Sequence, residues 1–170
     1  PKVDKKEFDG RTILFIGSDA FRKGGFTLLE AFKKVKEEVP DARLIMVSSQ
    51  LKRYSRGRDF KRFGIIIKGY ASKRLLGYLY RRASVYVMPS IYEAFGIAFL
   101  EAMAYKLPCI GTRKCAMPEI IEDGRSGFLV RPGDWRGLAD KIIYLLKHKG
   151  IARKMGEYGR RKVESYYNWD

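Results

Sequence analysis

Three short stretches of this sequence carry the residue types that chemistry needs. The first is Gly17-Ser18-Asp19-Ala20-Phe21-Arg22-Lys23-Gly24-Gly25, in which two cations precede a glycine pair. It contains neither a Gly-x-Gly-x-x-Gly fingerprint nor a Gly-Lys-Ser/Thr phosphate loop. A helix start offers free N–H groups and partial positive charge, and a lysine there adds a full charge, so phosphate fits such a place. The alternative leaves Arg22 and Lys23 as solvated loop charges. The second stretch runs from Pro89 to Ala104, where Glu93 and Glu101 bracket Phe95-Gly96-Ile97. Gly96 lets a ligand approach the first amides closely. A Glu101 inside an otherwise apolar helix is costly unless it is paired or hydrogen-bonded. A helix beginning near Ala94 sets the two glutamate backbones roughly 12 Å apart at about 1.5 Å per residue. That span suits one long ligand, its phosphate at the helix start and its hydroxyls on the carboxylates, better than two carboxylates sharing one bond. The alternative pairs Glu101 with a buried arginine and makes Glu93 a surface cap. The third stretch, Thr112 to Glu119, ends in Pro118-Glu119, which places an acid in the first turn of a short helix. Partnership with the helix dipole explains Glu119 equally well.

Other chemistries are excluded by count. One histidine, His148, rules out a His-x-x-x-His metal helix, and two cysteines, Cys109 and Cys115, rule out a disulfide scaffold or a four-cysteine zinc site. His148 reads as a solvated residue at a helix end and Cys109 as a small apolar filler in a strand. The cysteine usage fits a reduced, cytoplasmic protein. No apolar run approaches the ~18 residues that a membrane span needs. The 170 residues hold 35 Lys+Arg against 19 Asp+Glu, a net charge of +16, which calls for anionic partners: nucleotide phosphates, anionic lipid or nucleic acid. Lys52, Arg53, Arg56, Arg58, Lys61 and Arg62, with Tyr54 and Phe60, form a basic cluster that reads as a solvated loop.

These stretches need elements to position them. Short apolar runs predict six strands, at 12–17, 42–47, 64–69, 85–88, 109–111 and 127–130. Helical spacing predicts helices over 24–39, 72–82, 94–106, 134–149 and 151–166, with a helical turn at 118–122. Ser72 and Asp134 are the expected N-caps and Gly150 the expected stop; residues 51–62 read as irregular. Alternating strands and helices predict an α/β domain, a doubly wound parallel six-stranded sheet of Rossmann-like form. Its ligands belong at the carboxyl ends of the strands, which picks out 17–25, 69–72, 90–96 and 112–119.

Glu93-Ala94-Phe95-Gly96-Ile97-Ala98-Phe99-Leu100-Glu101 resembles the Glu-x-x-Phe-Gly-x-x-x-Glu motif of the retaining nucleotide-sugar glycosyltransferases of family 4, which have the GT-B fold. Pro89-Ser90, Arg22-Lys23-Gly24-Gly25, Pro118-Glu119-Ile120-Ile121 with Gly124, and Gly127-Phe128-Leu129-Val130 fit the same order. Val3 to Phe8 resembles the linker between lobes, and Trp169 a tryptophan just past this lobe. The resemblance implies an interlobe linker at 1–10 and a nucleotide-sugar-binding domain at 11–170, with the N-terminal acceptor lobe absent. It implies hexosyl transfer from a UDP-, GDP- or ADP-linked sugar to a sugar, lipid or other acceptor, with no metal. The fragment alone is expected to be inactive. By position, Lys23 contacts the donor diphosphate and Glu93 lies by the transferred sugar, as the catalytic pair. Phe95, Gly96 and Ile97 offer amides to the phosphates, Glu101 holds the ribose, and Arg22 and Glu119 complete the donor-binding set. Two departures stand out: Gly17-Ser18 replaces a common Gly-Arg, and Cys115-Ala116 replaces a common Gly-Gly. A chain that begins at Pro1 without an initiator Met reads as a piece of a larger protein lacking a secretory signal. Peripheral docking on an anionic membrane at the cytoplasmic face is compatible with this reading. The alternative function is a basic nucleic-acid-binding α/β module.

Overall fold

Runs such as Thr-Ile-Leu-Phe-Ile and Val-Tyr-Val have no polar face to offer water, so they form strands covered on both sides. The computed structural model describes residues 8–166. Six strands, β1 (Thr12–Ile16), β2 (Arg43–Val47), β3 (Ile65–Lys68), β4 (Val85–Val87), β5 (Cys109–Thr112) and β6 (Gly127–Val130), pair in parallel in the order β3-β2-β1-β4-β5-β6. The order reverses between β1 and β4, which is the switch point of a doubly wound sheet. Among the described residues β3 pairs only with β2 and so ends the sheet.

Among the described residues five helices connect the strands, α1 (Gly25–Glu38), α2 (Ser49–Tyr54), α3 (Lys73–Arg82), α4 (Ile97–Ala104) and α5 (Met117–Ile120), and two more, α6 (Trp135–Lys147) and α7 (Lys149–Tyr166), follow β6. They cover the sheet, α1 packing on α6 and α4 on α7. Fully buried Phe15, Phe32, Met46, Tyr86 and Phe99 fill the centre. The turn into β1 is held by Asp9, which accepts from the Arg11 and Thr12 amides, the Thr12 hydroxyl and the Ser84 hydroxyl. Burial opposes its charge, but these bonds hold its carboxyl below the usual range.

The six strands and the α/β class agree with expectation, and Ser72 and Asp134 cap α3 and α6. Three boundaries differ. The basic stretch after β2 is not wholly irregular: Ser48 accepts from the Leu51 amide and Leu51 is buried, so a cap and an anchor start α2, and a 3-10 turn follows at Lys61–Phe63. Gly150 does not stop α6. The break falls at His148, whose Nδ1 lies 2.7 Å from the Tyr144 carbonyl, and α7 runs on through Gly150. The helix expected from Ala94 starts at Ile97 instead, because Gly96 takes φ 62° and ends any continuation toward its N-terminus. Residues 1–7 and Trp169, on which the linker and tryptophan expectations fall, lie outside the described residues. Among the described residues no helix is long and apolar enough to cross a membrane.

Candidate functional site

At the carboxyl ends of β1, β4 and β5, three loops are stitched together by backbone contacts. The Ile91 amide donates to the Arg22 carbonyl at 2.9 Å, which joins the loop after β4 to the loop after β1. The Ala116 amide reaches the Glu93 carbonyl at 3.4 Å, which brings in the loop after β5. Gly24 stands against the Pro89 carbonyl with φ 77°, where any Cβ would collide. The turn after β1 is set by Asp19, whose side chain accepts from the Arg22 amide at 3.1 Å and pairs with the Arg22 guanidinium at 3.4 Å.

Inside this convergence the Lys23 ammonium pairs with the Glu93 carboxylate. Both side chains are largely buried, at 17% and 10% exposure. The other Glu93 oxygen accepts from the Gly96 amide at 3.1 Å. Burial works against the Glu93 charge, but Lys23 and the Gly96 and Phe95 amides hold the carboxyl below its usual range. Glu93 is therefore a buried counter-ion, not a surface cap. Gly96 also needs to be glycine, because a Cβ there would enter the Ile120 side chain.

The helix starts are unequal. Helices α2, α3 and α6 are capped by the side chains of Ser48, Ser72 and Asp134. Helices α1 and α4 begin at left-handed glycines, Gly24 and Gly96, with no side-chain cap and no acid in the first turn. These two uncapped positive ends are the ones that follow β1 and β4, on either side of the switch point. The arrangement gathers the Lys23 ammonium and two uncapped helix starts at the carboxyl ends of β1 and β4, with Glu93 paired to Lys23 and Asp19 paired to Arg22 at the rim.

Glu101 sits one turn into α4, partly buried, and accepts from the Tyr80 hydroxyl at 3.0 Å. Its partner is a tyrosine and not the arginine that a purely structural role predicts. Burial first, then Tyr86 and Glu101, push the Tyr80 phenol well above its usual range, so it remains the donor. Arg22 is exposed beside Asp19, and Phe95 (76% exposed) and Ile97 (55%) open on solvent. The otherwise apolar helix is thus not buried on every side. Phe99, Leu100, Ala102 and Met103 are buried, while Ile97 at the helix start and Phe95 just before it face solvent. Glu119 is exposed and lines an open groove of about 700 Å³ against α7, with Tyr158 and Lys162; its neighbour Ile120 is the residue that packs on Gly96. Cys115 is exposed at φ 54°, so the place where the resemblance expects glycine does hold a left-handed backbone.

Sequence reasoning missed Asp19, Tyr80 and Ile120, which hold Arg22, Glu101 and Gly96 in place. It also missed Ser90 Oγ, which is buried at the end of β4 with no partner among the described residues. Tyr80 and Ile120 act through tertiary contacts and carry no local signal, whereas Asp19 acts three residues along its own turn, a spacing the sequence does carry. Among the described residues no three His, Cys, Asp or Glu side chains gather as a metal site.

The family profile of the glycosyl transferases group 1 matches residues 2–162. The N-acetyl-alpha-D-glucosaminyl L-malate synthase of Bacillus anthracis is 35% identical over 145 residues, covering 80% of this chain and 36% of that protein. The solved C-terminal domain of the group 1 glycosyl transferase LpcC from Francisella tularensis superposes with a TM-score of 0.82 at 27% identity, covering 94% of this chain and 87% of that one. Anabaena HepE, solved with UDP and glucose, shares the fold with a TM-score of 0.82 at 18% identity, covering 94% of this chain and 45% of that one. The chain spans about a third of the length of the curated relatives it matches.

Proposed function

The chain belongs to the glycosyl transferases group 1 family, and we propose that it is the donor-binding C-terminal lobe of a retaining enzyme that moves a hexosyl group from a nucleotide-diphospho-sugar to a sugar, lipid or other acceptor. The match to most of a solved C-terminal domain supports the choice of lobe. The observation that carries the reading is the meeting of Lys23 with the two glycine-capped helix starts at the switch point. Departure of a sugar leaves negative charge on the diphosphate. A preorganised ammonium and free amides stabilise that charge most as it develops, which is how this site lowers the barrier.

In this reading the diphosphate lies over the first turn of α4, against the Ile97 amide, while the Gly96 and Phe95 amides hold Glu93 beside it, with Lys23 shared between Glu93 and the phosphates. Glu93 accepts a hydroxyl of the transferred sugar. Glu101, with one oxygen on Tyr80, turns the other to the ribose hydroxyls. Arg22 adds charge at the rim. Glu119, which lines the α7 groove, is assigned no contact with the donor. The exposed apolar residues Phe21, Tyr92, Phe95 and Ile97 around the mouth form the surface that the N-terminal acceptor lobe covers. No metal is required, since Lys23 and the amides supply the positive charge. Calorimetric titration of the chain with UDP, GDP and ADP in the presence of a chelator tests the reading. One of the three binds if it holds, and Glu101→Ala weakens that binding. Absence of binding by all three, with no effect of Glu101→Ala, ends it.

A further inference from the structure

A large share of the positive charge of the chain lies in the elements before, within and after the edge strand β3. Between Ser49 and Arg82 eleven Lys and Arg stand against a single acid, Asp59, so this stretch carries most of the net +16. All eleven are exposed except Lys68, which is partly buried. They belong to α2 and the 3-10 turn that lead into β3, to β3 itself, and to α3 that leads away from it. Elsewhere several cations find carboxylates, as Lys34 does with Asp140, Arg113 with Asp123 and Arg125 with Glu122. Along this edge Lys52, Arg53, Arg56, Lys61, Arg62, Lys73 and Arg74 form no ion pair among the described residues. Arg58 turns to the Tyr54 carbonyl (2.6 Å) and ring. Mixed signs are the ordinary way to keep a surface solvated, and an unbalanced edge repels itself until an anion covers it.

Apolar side chains stand among these charges. Phe63 is 60% exposed directly after Lys61-Arg62, Ile66 is exposed on the edge strand, and Tyr54, Tyr70 and Tyr78 are exposed on the flanking elements. A ring directly after two cations, with an exposed aliphatic residue and several tyrosines on the neighbouring elements, matches the interface of a bilayer, where apolar groups enter between headgroups and tyrosines rest at their level. Ile66 offers a nucleic acid neither a hydrogen bond nor a stacking face, so lipid is the better match.

We propose that the β3 edge docks this domain on an anionic lipid surface, with Phe63 entering the headgroup layer beside Lys61 and Arg62. Tyr70, Lys73 and Arg74 follow the carboxyl end of β3, the same end of the sheet as the Lys23 loop. Docking on this edge therefore holds the mouth of the site beside the membrane, within reach of an acceptor that lies there. The proposal stands independently of the donor reading.

Sedimentation with phosphatidylcholine vesicles, with and without phosphatidylglycerol, tests it. The chain should bind the anionic vesicles only, and less as salt shortens the screening length. Replacing Lys61 and Arg62 together by Gln should lower the partition coefficient roughly 25-fold, at about five-fold per cation. Phe63→Ser should reduce the binding that survives high salt. The same charge change on α7, Arg153→Gln with Lys154→Gln, should leave most of the binding intact. Equal binding to neutral vesicles, an equal loss in the α7 variant, or displacement from the vesicles by single-stranded RNA at matched charge would each overturn the proposal.

Discussion

Replacing Glu93 by Gln separates the two duties of the Lys23–Glu93 pair. Gln keeps an oxygen for the Gly96 amide, 3.1 Å away, but removes the charge that faces Lys23. An exposed ion pair contributes about 0–1 kcal/mol, and removing one partner of a fully buried pair costs about 3–5 kcal/mol. These side chains are 17% and 10% exposed and lie at the mouth of a site, so the expected loss falls between, about 1–3 kcal/mol. For a chain of this size that is a fall in Tm of about 3–10 °C. The same change frees Lys23 and removes a negative charge beside the diphosphate. Two unit charges about 6 Å apart interact by about 3 kcal/mol at an effective dielectric near 20 and by less than 1 in water. UDP, which lacks the sugar, should therefore bind roughly 5- to 30-fold more tightly to Glu93→Gln. Lys23→Gln should weaken it about 10- to 100-fold. The pH dependence has a definite sign. Because the folded Glu93 carboxyl titrates below its usual range, its contribution is present above the unfolded value near 4.3 and is lost as pH falls through the folded one. Wild type should lose that increment in acid, and Glu93→Gln should not. Thermal unfolding from pH 7 down to 3, with calorimetry of UDP binding at pH 7, reads both effects. An unchanged Tm in Glu93→Gln, or UDP binding weakened as much as in Lys23→Gln, would refute the reasoning.

Gly96→Ala should cost about 2–4 kcal/mol in urea denaturation and abolish most UDP binding, because alanine is strained at φ 62° and its methyl enters Ile120. Glu101→Ala should leave the buried Tyr80 hydroxyl without its acceptor, at about 1–3 kcal/mol. It should also weaken UDP binding while leaving pyrophosphate binding unchanged, which calorimetry with the two ligands distinguishes. Asp134→Ala should remove the α6 cap, seen as a loss of about 1 kcal/mol in denaturation, with no change in nucleotide affinity.

The strands were legible because both-face burial leaves an unbroken apolar run, as in Ile13-Leu14-Phe15, and the doubly wound class because strands and helices alternate. Ser72 and Asp134 were legible because a cap acts on its own helix. The Glu93–Gly96–Glu101 spacing marked the site, and its order with Lys23 pointed to the family. What stayed hidden depends on contacts distant in sequence. The Lys23–Glu93 pair spans 70 residues, and Tyr80 meets Glu101 from another helix. The start of α4 was misjudged because nothing in the local sequence shows that Gly96 takes a left-handed φ, which leaves the exposed Phe95 outside the helix. The start of α2 was missed because six basic residues masked a Ser48 cap and a Leu51 anchor.

A crystal structure of the chain grown with UDP tests the central claim most directly. The diphosphate should lie between the Lys23 ammonium and the first amides of α4, with the ribose turned toward Glu101. Nucleotide held instead in the groove between α5 and α7, with Lys23 still paired only to Glu93, would contradict it.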